Sequence, residues 1–409
     1  MTANTSDESR ATRISPVDRA LERLIAEVAA GEHSGDVADY IPELAAVDPD
    51  RFAVSATSIM GRQYGAGDLK TRFTIQSISK PFVYALALAE HGTDAVLEHV
   101  GVEPSGQAFN AISFDAKGRP FNPMINAGAI VTTSLIGASD GDERFQRICA
   151  GLSAFAGRTL EPDDVVYRSE SETGDRNRAL ALLARSSGAL RADVDDAVEP
   201  YFRQCALAVD ARDLAVMAAT IANNGVNPLT GVEVVEARVA RHTLSLMSSC
   251  GMYDRSGEWL MRVGLPAKSG VGGGIVAVSP GEYGVGVFSP PLDSVGNSSR
   301  GVALLQKLSD EFRLHSFGHP TVPIVPMDES FDGGVVTLGL RGEFDFVAVE
   351  RLISRAVERL EATGATALLL DLRGVTWTAY AAERLLAAFV SEARAHDPRL
   401  DIRCLRPGD

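Results

Sequence analysis

The sequence predicts a mixed α/β protein, an α+β chain of more than one domain, on three observations. Its 409 residues exceed the ~100–200 of an ordinary domain. A segment with three prolines, HSFGHPTVPIVPMDES (315–330), interrupts the pattern and reads as a linker. Beyond it strands and helices alternate regularly, whereas the region before it mixes helices with short glycine-rich strands.

Element by element, residues 1–16 (MTANTSDESRATRISP) are polar and read as a disordered tail. From Pro16 onward Val17, Ala20, Leu21, Leu24, Ile25 and Val28 follow helical spacing and open a domain over 17–314. Two apolar strands, GGGIVAVSP (272–280) and YGVGVFSPP (283–291), and a helix around 303–312 close it. In 331–409, GVVTLGLRG (334–342) alternates like a strand. Val349, Leu352, Ile353, Ala356, Val357 and Leu360 then repeat as a helix, and TALLLDLRGV (366–375) reads as a buried strand. A helix marked by Leu385, Leu386, Phe389, Val390 and Ala393 and a last strand, LDIRCL (400–405), complete a βαβαβ unit.

Composition narrows the function. Hydrophobic residues make up 45% and charged residues 23%, and the formal net charge is −15. That balance opposes nucleic-acid or anionic-membrane binding through a broad basic face. No apolar run approaches the ~18 residues of a membrane-spanning helix, and the opening lacks the charged start and apolar run of a signal peptide, so a cytoplasmic location is expected. Cys149, Cys205, Cys250 and Cys404 form no CxxC pair, and neither a zinc site nor a disulfide framework is indicated. His315 and His319 are four apart, but Gly318 and Pro320 argue against a helical metal pair, and no metal-binding, P-loop or dinucleotide motif appears.

Lysine usage is more informative. Only Lys70, Lys80, Lys117, Lys268 and Lys307 occur among 39 basic residues. Arginine keeps its proton in proteins, whereas a buried lysine can lose it, so a site that needs a neutral amine has few candidates. In FTIQSISKPF, Ser77 and Lys80 lie three apart where a strand end meets a buried helix, with Pro81 tolerable only in the first turn. Such a serine stands near free backbone N–H groups that can stabilise an oxyanion, and the amine can take its proton. On its own the pair fits equally a serine cap beside a solvated lysine. Lys268-Ser269-Gly270, ahead of the apolar strand, resembles the K-T-G element of serine β-lactamases; alone it fits a glycine-rich turn with an exposed lysine. Tyr253 in SCGMYD is a proton carrier if a nearby cation lowers its pKa, and otherwise a structural tyrosine. Asn126 in NPMINAGAI is a helix cap or part of a polar pocket. SESETGDRN (169–177) reads as a short acidic loop, either a solvated turn or a source of carboxylate and amide groups for a zwitterion.

Taken in order, YIPELA (40–45), QSISKPF (76–82), NPMINAGAI (122–130), SESETGDRN (169–177), TLSLMSSCGMYD (243–254) and LPAKSGVGGGI (265–275) closely resemble the serine-dependent glutaminase family over about residues 20–315. The resemblance implies a β-lactamase/penicillin-binding-protein-like serine hydrolase domain that hydrolyses L-glutamine to L-glutamate and ammonia without metal or organic cofactor. It implies Ser77 as nucleophile, Lys80 as its base and Tyr253 as a partner in proton transfer. The backbone N–H groups of Ser77 and Val271 match the oxyanion hole; Asn126, Glu170, Asn177 and Tyr201 match the substrate-holding positions. Tyr40 falls in the segment that covers the site as a lid, and Gln76 precedes the nucleophile as in relatives. By the same analogy the chain is expected to form a homodimer or homotetramer.

The C-terminal unit resembles a STAS domain through LLLDLRGVTWTAYAAERLL (368–386). Phosphorylatable members carry Asp-Ser-Ser where this chain has Ala379, Tyr380 and Ala381, so docking of a protein partner or of another copy is expected rather than a serine-phosphate switch. Two other functions fit parts of this pattern: another serine amidase or β-lactam-reactive protein on the same fold, and a glutamine sensor that signals through the C-terminal domain.

Overall fold

The computed structural model describes residues 15–106, 111–318 and 327–408, so most of the expected N-terminal tail and the middle of the expected linker lie outside the described residues. The chain divides into two compact units that part between His319 and Pro320.

The first unit is organised by a five-stranded antiparallel sheet in the order Gln63–Gly67, Ala53–Ser58, Tyr283–Phe288, Gly274–Ser279, Ala267–Ser269. Both faces of its centre are covered, which is why the glycine-rich strands read as continuous apolar runs rather than as alternation. On one face Ile275, Ala277, Val285 and Val287 pack against Leu21 and Leu24 of helix Pro16–Ala29 and Leu304, Leu305 and Leu308 of helix Ser299–Phe312. Ser15 starts the first of these helices, its Oγ accepting the Val17 N–H at 3.2 Å, with Pro16 at the position that needs no donor.

On the other face Val276 and Val278 join a larger core with Leu214 and Met217 of helix Ala211–Ala222. That helix lies directly on the sheet because two residues facing it have no side chain. A Cβ on Gly284 would come within 2.1 Å of the Ala219 nitrogen, and one on Gly286 within 2.2 Å of the Ala211 carbonyl oxygen. Neither obstacle is a flexible side-chain end, so the alternate glycines of YGVGVF are a packing requirement.

Beyond this helix lies a mainly helical region that includes Ser79–His91, Asn126–Leu135, Gly141–Ala156 and Val194–Cys205. A small antiparallel sheet ties its key segments together: Phe73–Thr74 pairs with Leu207–Val209, which pairs with Glu161–Pro162. The Ile75 N–H then donates to the Leu207 carbonyl at 2.8 Å, clamping the turn before helix Ser79–His91 to the end of helix Val194–Cys205.

Two readings of the sequence need correction. The acidic stretch 169–177 is not a loop: it spans the end of helix Asp164–Glu172 and the start of helix Asp175–Ser186. Asp163 caps the first helix by accepting from the Val165 and Val166 N–H groups. Only Val166 and Glu170 are buried in that helix, so no apolar periodicity announced it. Residues 327–330, read as the linker's end, instead begin strand Met327–Asp332. It is an edge strand, exposed along most of its length, and so lacks the alternation that marks a half-buried strand.

The second unit is otherwise as read. Strands Val335–Phe344, Ala367–Thr378 and Asp401–Leu405 run parallel, with Met327–Asp332 antiparallel at one edge. Val336, Leu338 and Leu340 face Leu368, Leu370 and Leu372 in a core closed by Val349, Leu352 and Ala356 of helix Phe346–Thr363 and Ala382 and Leu386 of helix Tyr380–His396. The latter helix starts after Ala379 with no side-chain cap. Among the described residues of the chain no helix is long and apolar enough to cross a membrane.

Replacing Gly286 by alanine should force helix Ala211–Ala222 off the sheet. A loss of about 3 kcal/mol is expected, read as a lowered denaturant midpoint with an unchanged slope.

Candidate active site

Ser77 lies in the 3-10 turn Gln76–Ile78 that leads into helix Ser79–His91. Its neighbour Gln76 is held at φ +50°, a conformation that costs a non-glycine residue about 1–3 kcal/mol and persists only where surroundings enforce it. Here the Gln76 side chain donates to Glu170 Oε1 at 3.1 Å and to Thr74 Oγ1 at 3.2 Å. The strained turn places Ser77 beside the first turn of the helix that follows, where Lys80 stands.

Lys80 Nζ stands 2.9 Å from Ser77 Oγ and 2.7 Å from Asn126 Oδ1. Its side chain is 1% exposed. Burial disfavours the ammonium and lowers the pKa to about 8, against the weaker opposing pull of Cys205 and Glu170. With one N–H given to Asn126, a neutral amine has a lone pair to offer the serine.

Asn126, first residue of helix Asn126–Leu135, is a junction. Its Nδ2 donates to Asn177 Oδ1 at 2.9 Å, and its Oδ1 accepts from the Tyr201 hydroxyl at 3.3 Å as well as from Lys80. Tyr201 comes from helix Val194–Cys205, whose interior holds Pro200. Proline has no N–H for the carbonyl four residues back; the buried guanidinium of Arg144 donates to that Asp196 carbonyl instead.

Glu170 faces the same cleft from helix Asp164–Glu172 and accepts from Gln76 and, at 3.0 Å, from the Tyr40 hydroxyl. Burial raises its carboxyl pKa, and these two hydrogen bonds oppose the rise. Tyr40 is 48% exposed, yet its hydroxyl reaches inward to Glu170 and to Gln76 at 3.3 Å. The cleft has a volume of about 250 Å³ and is lined by Tyr40, Ser77, Asn126, Glu170, Asn177, Tyr201 and Val271.

Tyr253 approaches from another direction, in the 3-10 turn Tyr253–Arg255 at φ +53°. Its hydroxyl donates to the Ser269 carbonyl at 3.1 Å and interacts with Ser77. Lys268 Nζ lies 4.2 Å from the centre of its ring. The sequence allowed a cation to lower the tyrosine's pKa; burial instead pushes it up, and the Ser77 contact only partly offsets that.

The structure thus brings together every residue singled out for the site. Sequence reasoning named Lys268 only within a motif and left it open as an exposed residue, whereas it is 0% exposed. It also passed over Cys205 as lining of the cleft. Scarcity of lysine could have flagged Lys268; nothing in the spacing of the cysteines pointed to Cys205.

A serine hydrogen-bonded to a desolvated lysine beside a polar cleft can support nucleophilic chemistry, and residues 35–317 match the family model described as Glutaminase. The chain belongs to the glutaminase family. It is 52% identical over 284 residues to the glutaminase of Nostoc sp., covering 69% of this chain and 85% of that one. It is 42% identical over 402 residues to the glutaminase of Corynebacterium glutamicum, covering 96% and 95%. Glutaminase 2 of Bradyrhizobium diazoefficiens is 54% identical over 285 residues, 70% of this chain and 46% of that protein, so the chain spans about half the length of that relative. The crystal structure of Mglu in its native form superposes with a TM-score of 0.83 at 40% identity, over 95% of this chain and 98% of that one.

With five lysines in the chain, a protein carrying ¹³C at the lysine ε-carbon should give five resolvable signals. The Lys80 signal is expected to titrate with a midpoint of about 8. Because this folded-state value lies below the unfolded one, the unfolded chain binds more protons across that interval, and stability should rise as pH increases from about 8 toward 10.5. A Lys80 midpoint near 10.5 would show that the site is wet.

Proposed function

We propose that the chain hydrolyses L-glutamine to L-glutamate and ammonia through an acyl-enzyme on Ser77. The observation that carries this reading is the 2.9 Å contact between Ser77 Oγ and the buried Lys80 amine, in a chain of the glutaminase family.

Neutral Lys80 takes the Ser77 proton as Oγ attacks the side-chain amide carbon of glutamine. The oxyanion is held by the backbone N–H groups of Ser77 and Val271, each such donor being worth about 3 kcal/mol. Collapse of this intermediate breaks the C–N bond, and the departing nitrogen takes a proton relayed from Lys80 through Tyr253, leaving as ammonia. Water then attacks the γ-glutamyl ester, gives its proton back along the same route, and releases glutamate with Ser77 restored. Glu170 is the counter-charge for the substrate ammonium. Asn126, Asn177 and Tyr201 supply hydrogen-bonding groups to the substrate's amide and carboxylate ends. Tyr40, hydrogen-bonded to Glu170 while its ring stays half in solvent, suits a lid that excludes water until acylation.

The fold supports the same reading. An antiparallel sheet whose edge strand carries Lys268-Ser269, beside a buried helix that follows the turn holding Ser77, fits a β-lactamase-like serine hydrolase. The second unit, with parallel strands and both helices in one core, fits a STAS-like module that docks a protein partner or another copy, and a homodimer or homotetramer is the assembly we expect. We place the enzyme in the cytoplasm. A glutamine sensor would have no use for the Ser77–Lys80 pair.

Ser77→Ala should abolish ammonia release from L-glutamine while leaving the fold intact by circular dichroism; unaltered release would refute the nucleophile. Lys80→Arg should lower kcat by about 10²–10⁴-fold, since guanidinium cannot accept the serine proton. An arginine variant of near-normal activity would assign the base elsewhere.

A further inference from the structure

The chemistry above gives no task to Lys268, the middle residue of edge strand Ala267–Ser269. Its side chain is 0% exposed. Burying an amine costs far more than burying a methionine of similar length, so its contacts are informative. It donates to the Ser269 carbonyl at 2.6 Å and lies 4.2 Å from the centre of the Tyr253 ring. The same carbonyl accepts the Tyr253 hydroxyl at 3.1 Å. One amine therefore touches both the face of the tyrosine ring and the oxygen on which that tyrosine's hydroxyl is anchored.

Tyr253 needs such support. It sits at φ +53° in a single 3-10 turn and is only half-buried. It also borders an open concavity of about 370 Å³, bounded further by Met124, Ile125 and Leu260. Among the described residues, this concavity leaves room for a swing of the ring toward it. The contact with Lys268 and the hydrogen bond to the shared carbonyl hold the ring inward, together with the hydroxyl's interaction with Ser77.

We propose that Lys268 is a positioning residue for Tyr253: by gripping the Ser269 carbonyl and backing the phenol ring, it keeps the Tyr253 hydroxyl at Ser77 instead of in the neighbouring concavity. The inference rests on the proton-transfer role given to Tyr253. Burial and the proximity of Lys80 both disfavour a charge on Lys268, so its grip is that of an N–H donor and a packed stem.

The test is a cycle of four full-length proteins, wild type, Lys268→Met, Tyr253→Phe and the double variant, each assayed for kcat and KM on L-glutamine. Lys268→Met is expected to lower kcat about tenfold or more with KM within about twofold, and to cost little further in the Tyr253→Phe background. Lys268→Gln, which keeps a donor, should recover part of the loss. If Lys268→Met does not yield folded protein, Lys268→Gln takes its place in the cycle. A kcat unchanged by the substitution, or a loss of the same factor in both backgrounds, overturns the proposal while leaving the role of Tyr253 intact. A fully active Tyr253→Phe would remove that role and this inference with it.

Discussion

The proposed chemistry depends on one constraint, a Lys80 amine kept dry. In water a lysine amine is protonated at neutral pH and cannot take a proton from serine. Here the amine is enclosed by helix Ser79–His91, helix Asn126–Leu135 and the end of helix Val194–Cys205, and the enclosure brings its pKa down to about 8. The hydrogen bond to Ser77 is the product of that enclosure as much as of sequence spacing. Cys205 and Glu170 pull the other way, which makes the tie of Glu170 to Gln76 and Tyr40 part of the balance.

Holding two polar side chains in a buried place demands a stiff frame, and several devices supply it. The small sheet locks the turn before Ser77 to the helix carrying Tyr201. Alternate glycines let helix Ala211–Ala222 settle onto the central sheet, so the edge strand with Lys268 has a fixed distance to the helical region. Two of the four non-glycine residues with positive φ among the described residues, Gln76 and Tyr253, adjoin Ser77, one in sequence and one through its hydroxyl. Strain gathered at that point and nowhere else in the cleft fits a site where the surroundings over-determine the backbone.

Much of this was legible in the sequence, for identifiable reasons. Periodic patterns gave the helix from Pro16 and all but one element of the second unit, and continuous apolar runs gave the two central strands. The site residues were legible because the motifs that hold them are long and occur in order, not because any one of them is informative alone. Three things escaped. Strand Met327–Asp332 has an exposed face on both sides, so nothing distinguishes it from a linker. The helix ending at Glu172 buries only Val166 and Glu170, too little apolar surface to show a period. The burial of Lys268 depends on tertiary packing of an edge strand against Tyr253, and a Lys-Ser-Gly triplet reads the same in a solvated turn.

The most direct test of the dry-lysine account is the pH dependence of the acylation step itself, measured as single-turnover ammonia release from L-glutamine with enzyme in excess. The account predicts a rate that climbs about tenfold per pH unit on the acid side and levels off above about 8, where Lys80 has lost its proton. A rate that is flat between pH 6 and 9, or a break near the value of an ordinary histidine, would contradict it.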